Sequence, residues 1–198
     1  MSIWNLFSTP IYVNKLDQDS LIKNQEEIDN AVNIIKSKHG FINSTSFDLF
    51  NTKINDTISS SKFLETYNCS ELTKIITNNT IQYLNNIGIG DGIRLEISNS
   101  WMTYSSKGYH TQVHHHESCD ISGIYYYNTN GTDGNLYFRS PTKYMEISKI
   151  FKNSSKQDFE ITPFIGMLIL FPSWLDHGVR TNVTDSERMS ISFNIKSL

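Results

Sequence analysis

The chain of 198 residues carries 38% hydrophobic, 12% aromatic and 19% charged side chains, with a formal charge of −3. That length suffices for one well-cored domain, and the aromatic content excludes a disordered chain, which is poorer in aromatics and richer in charge. The near-neutral balance and scattered Lys and Arg disfavour nucleic acid as a partner, and no run approaches the roughly 20 apolar residues of a membrane span.

Met1 to Thr9 lacks the basic start and apolar core of a secretory leader, so a cytoplasmic location is expected. From Asp19 to Lys38, Leu21, Ile28, Val32 and Ile35 recur at helical spacing and predict an amphipathic helix. His39 to Ser61, rich in Asn, Ser and Thr, reads as a loop. A second helix is predicted from Ser70 to Asn86, with Ser70 capping its first turn and Leu72, Ile76, Tyr83 and Ile87 along one face. Gly88, Gly90 and Gly92 then break the pattern.

Beyond the glycines the texture changes to short runs rich in Ile, Tyr, Phe and Ser: Arg94 to Tyr104, Ser122 to Asn128, Asn135 to Phe138, Gly166 to Phe171 and Arg188 to Lys196. Turn residues such as Asn130-Gly131 and Asp133-Gly134 separate them, a pattern that predicts a mainly β sandwich, jelly roll or barrel. The expectation is one domain over 1–198, helical to about residue 90 and β from about 91, with the helices packed on the sheets. Cys69 and Cys119 are too few for a disulfide framework and are expected as thiols.

The chemistry concentrates in two places. Four of the six histidines fall between positions 110 and 116, in His110-Thr111-Gln112-Val113-His114-His115-His116-Glu117. On an extended strand, residues two apart share a face, so His114 pairs with His116, or alternatively His115 with Glu117. Two such ligands plus a third from a distant strand fill one face of an octahedral metal and leave open positions, as in non-haem Fe(II) oxygenases. His177, just after the apolar run Gly166 to Phe171, is the candidate third ligand.

The second place is Glu187-Arg188-Met189-Ser190-Ile191-Ser192-Phe193-Asn194, where alternation sets Arg188, Ser190 and Ser192 opposite Met189, Ile191 and Phe193. An arginine inside a sandwich needs an anion. Either it captures a ligand carboxylate or it forms an internal salt bridge to Asp or Glu.

Together these segments resemble the 2-oxoglutarate- and Fe(II)-dependent dioxygenase superfamily, in particular a group of similar length from bacteria and marine phages. The resemblance rests on Asn5-Leu6-Phe7-Ser8-Thr9-Pro10-Ile11-Tyr12, on His114-His115-His116-Glu117-Ser118 followed by Ile121-Ser122-Gly123-Ile124-Tyr125-Tyr126, on Phe171-Pro172-Ser173-Trp174-Leu175-Asp176-His177, and on Glu187 to Asn194. It implies a double-stranded β-helix behind N-terminal helices, with His114, His116 and His177 as iron ligands and no catalytic residue beyond them. It further implies Arg188 and Ser190 on the distal carboxylate of 2-oxoglutarate, with Tyr104 near the same co-substrate. The superfamily's usual first pair is His-x-Asp/Glu, which His115-x-Glu117 fits literally. The spacing from His114 to Ser122-Gly123 matches the group and favours His114 with His116.

The implied function is oxidation, most simply hydroxylation, of a small-molecule or peptidyl substrate, in a bacterial cytoplasm or that of a phage host. Two other classes stand beside it: a cupin-like metalloenzyme that does without 2-oxoglutarate, and a non-catalytic jelly-roll binding or structural protein. A homodimer is the assembly to test first.

Overall fold

The computed structural model describes residues 8–38, 62–90, 92–142, 147 and 158–198, so the predicted loop at 39–61 and the start of the opening motif lie outside the described residues. In chain order the elements are β1 (Tyr12–Lys15), α1 (Gln18–Lys38), α2 (Phe63–Thr66), α3 (Ser70–Asn86), β2 (Leu95–Ser105), β3 (Thr111–His114), β4 (Ile121–Asn128), β5 (Leu136–Arg139), β6 (Asp158–Ile161), β7 (Met167–Pro172), β8 (His177–Val179) and β9 (Arg188–Ser197). The strands form two antiparallel sheets, one in the order β1-β7-β4-β9-β2 and the other β3-β8-β5-β6. This is the jelly roll, with the helices on the outer face of the five-stranded sheet.

Period-two alternation on the long strands serves two cores at once. Leu168 and Leu170 on β7, Tyr125 and Tyr127 on β4, and Met189, Ile191 and Phe193 on β9 pack beneath the helices, against Ile28, Val32 and Ile35 of α1 and Leu72, Ile76 and Tyr83 of α3. Each buried aliphatic side chain there stabilises the domain by roughly 1.5–3 kcal/mol relative to exposure. Met167, Ile169 and Phe171, with Ile124 and Tyr126, point the other way and meet Leu136 and Phe138 of the smaller sheet. Polar side chains on that same inward face, above all on β9, line a cavity between the sheets.

Both predicted helices form, yet their ends are held in different ways. Asp17 caps α1, accepting from Ser20 N at 2.9 Å and Ser20 Oγ at 2.7 Å. Ser70 does not cap α3: the cap position is Cys69, which makes no side-chain cap bond. Instead the Glu27 carboxylate, arriving from α1, accepts from Ser70 Oγ (2.9 Å), Glu71 N (2.9 Å) and Leu72 N (3.4 Å). A carboxylate at that end also complements the helix dipole, which is why a partner helix can take over a local cap. Ile87, expected on the packed face, is 37% exposed at the C-cap. Among the described residues no helix is long and apolar enough to cross a membrane.

Candidate metal centre and its cavity

β3 ends on His114, which sits directly across the ladder from His177, the first residue of β8. Two residues on, the backbone N–H of His116 donates to Ser173 O at 2.9 Å, which fixes the chain after the strand. One ligand nitrogen from each of His114, His116 and His177 lies within 4.8 Å of the others. The ring centroids are 4.3 Å apart for His114–His177, 5.1 Å for His114–His116 and 5.3 Å for His116–His177.

Backbone carbonyls orient two of the rings. His114 Nδ1–H donates to Gln112 O and His177 Nδ1–H donates to Leu175 O, both at 2.8 Å. A carbonyl only accepts, so the proton sits on Nδ1 and the Nε2 lone pair remains for a metal. Burial, reinforced by the neighbouring imidazoles, pushes His177 down to about 3 and His116 down to about 4, and holds His114 below its ordinary value. All three are neutral at pH 7, the form a metal requires.

His115 and Glu117 fall on the other side. His115 Nδ1 lies 3.0 Å from Asp176 Oδ1 and its Nε2 lies 3.6 Å from Glu117, with the two side chains 45% and 87% exposed. The structure therefore gathers the His114, His116 and His177 set and leaves the alternative pair outside it. Trp101 stands 5.9 Å from the His116 ring and Phe171 stands 4.7 Å from the His177 ring, so aromatic walls border the three nitrogens.

Arg188 opens β9 and is 1% exposed. Its Nη1 donates to the carbonyls of Asp133 (2.7 Å) and Gly134 (3.3 Å), while Nη2 is buried with no partner. Among the described residues no carboxylate pairs with it, so the internal salt bridge is not what is found. The Asp133 carboxylate is itself engaged by Thr129 Oγ1 and Asn130 N. Burial pulls the guanidinium below its ordinary pKa, a cost that the nearby Tyr126 and Asp133 side chains offset only in part. Gly134 makes the approach feasible: it holds φ +111°, and a Cβ would come within 2.7 Å of Nη1.

Ser190 lines the same cavity as Arg188 and the three histidines. Tyr104 does not. It lies on the helix-side face of β2, in the core with Met102, and its hydroxyl donates to Glu187. The tyrosine that does reach the cavity is Tyr126, a β4 residue that pairs with Ser190 and is 1% exposed. Burial raises its phenol to about 12, so it remains a donor at neutral pH. Thr103 of β2, the register partner of Ser190, completes this wall. The signal for Tyr126 was the run Tyr125-Tyr126-Tyr127, of which alternation turns one inward.

The jelly roll thus carries three neutral nitrogen donors and a buried guanidinium with one unpartnered nitrogen in the same cavity, donor types that suit a metal ion and an anion. Residues 99–194 match the family described as "Putative 2OG-Fe(II) oxygenase". The resemblance to the 2-oxoglutarate- and Fe(II)-dependent oxygenase superfamily is thus shown for the jelly-roll part of the chain. No curated protein matches the sequence. A prolyl-4-hydroxylase from Pseudomonas putida is 12% identical, with 96% of this chain and 89% of that one aligned at a TM-score of 0.58. A prolyl hydroxylase from Trichoplax adhaerens, solved with a peptide fragment of the hypoxia inducible factor oxygen degradation domain, is 16% identical over 96% and 85% at 0.61. HygX from Streptomyces hygroscopicus, solved with nickel and 2-oxoglutarate, is 10% identical over 95% and 83% at 0.54. At these identities the likeness is one of fold.

Proposed function

We propose that the protein is an Fe(II)- and 2-oxoglutarate-dependent dioxygenase that hydroxylates an organic substrate, in one domain spanning residues 1–198. The observation that carries this reading is the buried Arg188, whose free Nη2 shares a cavity with the three-histidine cluster. His114, His116 and His177 would hold the iron. Arg188, with Ser190 and Tyr126 beside it, would grip the distal carboxylate by charge-assisted hydrogen bonds. Bound together, metal and co-substrate supply the oxidation by O2: 2-oxoglutarate yields succinate and CO2, one oxygen atom entering succinate and the other the substrate.

The protein's own residues position and shield. The Gln112 and Leu175 carbonyls hold the His114 and His177 rings, and Trp101, Phe138 and Phe171 keep water from the metal end. Three neutral imidazoles bring no negative charge, so the site favours an anionic chelator. A metalloenzyme that does without 2-oxoglutarate would leave Arg188 Nη2 unexplained.

Relatives in fold include SnoN, described as an epimerase, and SnoK, described as a carbocyclase, so fold alone does not select the outcome. The test is an anaerobic titration of metal-free protein with Fe(II) and then 2-oxoglutarate. A visible charge-transfer band that requires both additions is expected, as is succinate on admitting air. Iron binding without the band would point to the cupin-like class, and no iron binding to a non-catalytic jelly roll.

A further inference from the structure

One donor in the cavity has no role in the reading above. Asn194 lies on β9, six residues past Arg188 on the same inward face, and is 4% exposed. A relay ties it to the metal end. His116 N–H donates to Ser173 O, the Ser173 and Ser122 hydroxyls lie 3.0 Å apart, and Ser122 Oγ donates to Asn194 Oδ1 at 2.7 Å. A serine hydroxyl has one proton, so Ser173 donates to Ser122, and Ser122 to Asn194. The carboxamide is then oriented with its oxygen satisfied. Among the described residues nothing accepts from Nδ2, whose two protons are left to the cavity that Asn194 lines. Asn194 Nδ2 is thus an oriented donor on the cavity wall, open to an acceptor that a ligand supplies.

We propose that Asn194 is a positioning residue whose Nδ2 donates to the metal-proximal carboxylate of a bound 2-oxo acid, at the opposite end of the co-substrate from Arg188. This rests on the proposed function. Because no protein carboxylate is among the three clustered ligands, a second ligand carboxylate meets no like charge from them. A carboxamide whose oxygen is already engaged offers that carboxylate only its N–H groups, and so fixes how the carboxylate lies and which metal position is left open.

The experiment titrates Ni(II)-loaded protein with 2-oxoglutarate by calorimetry, and with 2-oxovalerate, which lacks the distal carboxylate, by competition. Asn194→Leu is expected to weaken both acids by about ten- to hundredfold, the worth of a hydrogen bond to a charged acceptor, with Ni(II) affinity unchanged. Arg188→Met is expected to weaken 2-oxoglutarate alone. Ser122→Ala, which frees the carboxamide, should weaken both acids by a smaller factor and decides the matter if Asn194→Leu does not fold. Wild-type-like binding of both acids by these variants overturns the assignment. So does a loss confined to 2-oxoglutarate, which would place Asn194 at the distal end. If the metal-loaded wild type binds no 2-oxoglutarate, the proposed function fails and this assignment with it.

Discussion

Replacing Arg188 by methionine should abolish the binding of the acid while leaving ligand-free stability close to that of the wild type. In the free protein the guanidinium is 1% exposed, holds two backbone carbonyls and has one nitrogen without a partner. Exchanging a poorly compensated buried ion for an apolar side chain of similar volume stabilises by about 1–4 kcal/mol. Against that stands the loss of donors to Asp133 O and Gly134 O, the second already long at 3.3 Å, costing about 1–3 kcal/mol. The balance runs from about 2 kcal/mol below the wild type to about 3 kcal/mol above it, centred close to wild-type stability. With 2-oxoglutarate at a hundred times its Kd, Ni(II)-loaded wild type gains about 2.7 kcal/mol, or roughly 5–10 °C in Tm for a chain of this size. The variant should show no such gain, because removing one partner of a buried charge pair costs about 2–5 kcal/mol of binding. Thermal unfolding of both proteins with and without the acid reads all four values. A ligand-free variant more than about 10 °C below wild type would refute the reasoning, since Arg188 would then be a satisfied structural cation.

Removing His114 or His177 should abolish tight Ni(II) or Fe(II) binding, while His115→Ala and Glu117→Ala should bind metal as wild type; calorimetry distinguishes the two sets, and metal loss in the second would restore the alternative ligand pair. Tyr126→Phe is expected to raise the Kd for 2-oxoglutarate by about three- to tenfold, the worth of one hydrogen bond, with Tyr104→Phe unchanged. Equal effects would undo the placement of the two tyrosines on opposite faces. Metal-free protein should lose stability as pH falls from 7 to 5. The folded pKa of His177, about 3, lies below the ordinary 6.5, so the unfolded state takes up the proton first and stability present above 6.5 is lost on acidification. At pH 5 the loss from this residue is about 2 kcal/mol. His177→Gln should flatten the profile of Tm against pH, and an unchanged slope would contradict it.

Patterns that depend on neighbouring residues were legible in the sequence, and those that depend on the assembled sheets were not. The helix from Ser70 to Asn86 emerged with Leu72, Ile76 and Tyr83 on its buried face, though not Ile87, and the alternation of Arg188, Ser190 and Ser192 against Met189, Ile191 and Phe193 emerged as read. β8 spans three residues and β6 four, too short for periodicity to register. That Glu27 caps α3, or that Tyr126 rather than Tyr104 meets the cavity, depends on which strand lies beside which. The partners of Arg188 were hidden for a similar reason. They are backbone carbonyls in a turn, which no residue type announces, and Asn194 drew no notice because its meaning comes from Ser122 and Ser173.

β9 runs between β4 and β2, and on its two faces it carries both the apolar layer beneath the helices and the side chains assigned to the co-substrate. Such a strand cannot be released without dismantling the sheet, so its amides exchange with solvent only through global opening. A ligand held on that strand slows the same opening, and with it cleavage by any protease that attacks the open chain. An acid held there would lengthen the protein's survival against such a protease in step with its occupancy, which makes proteolytic lifetime a readout of binding that needs no activity assay.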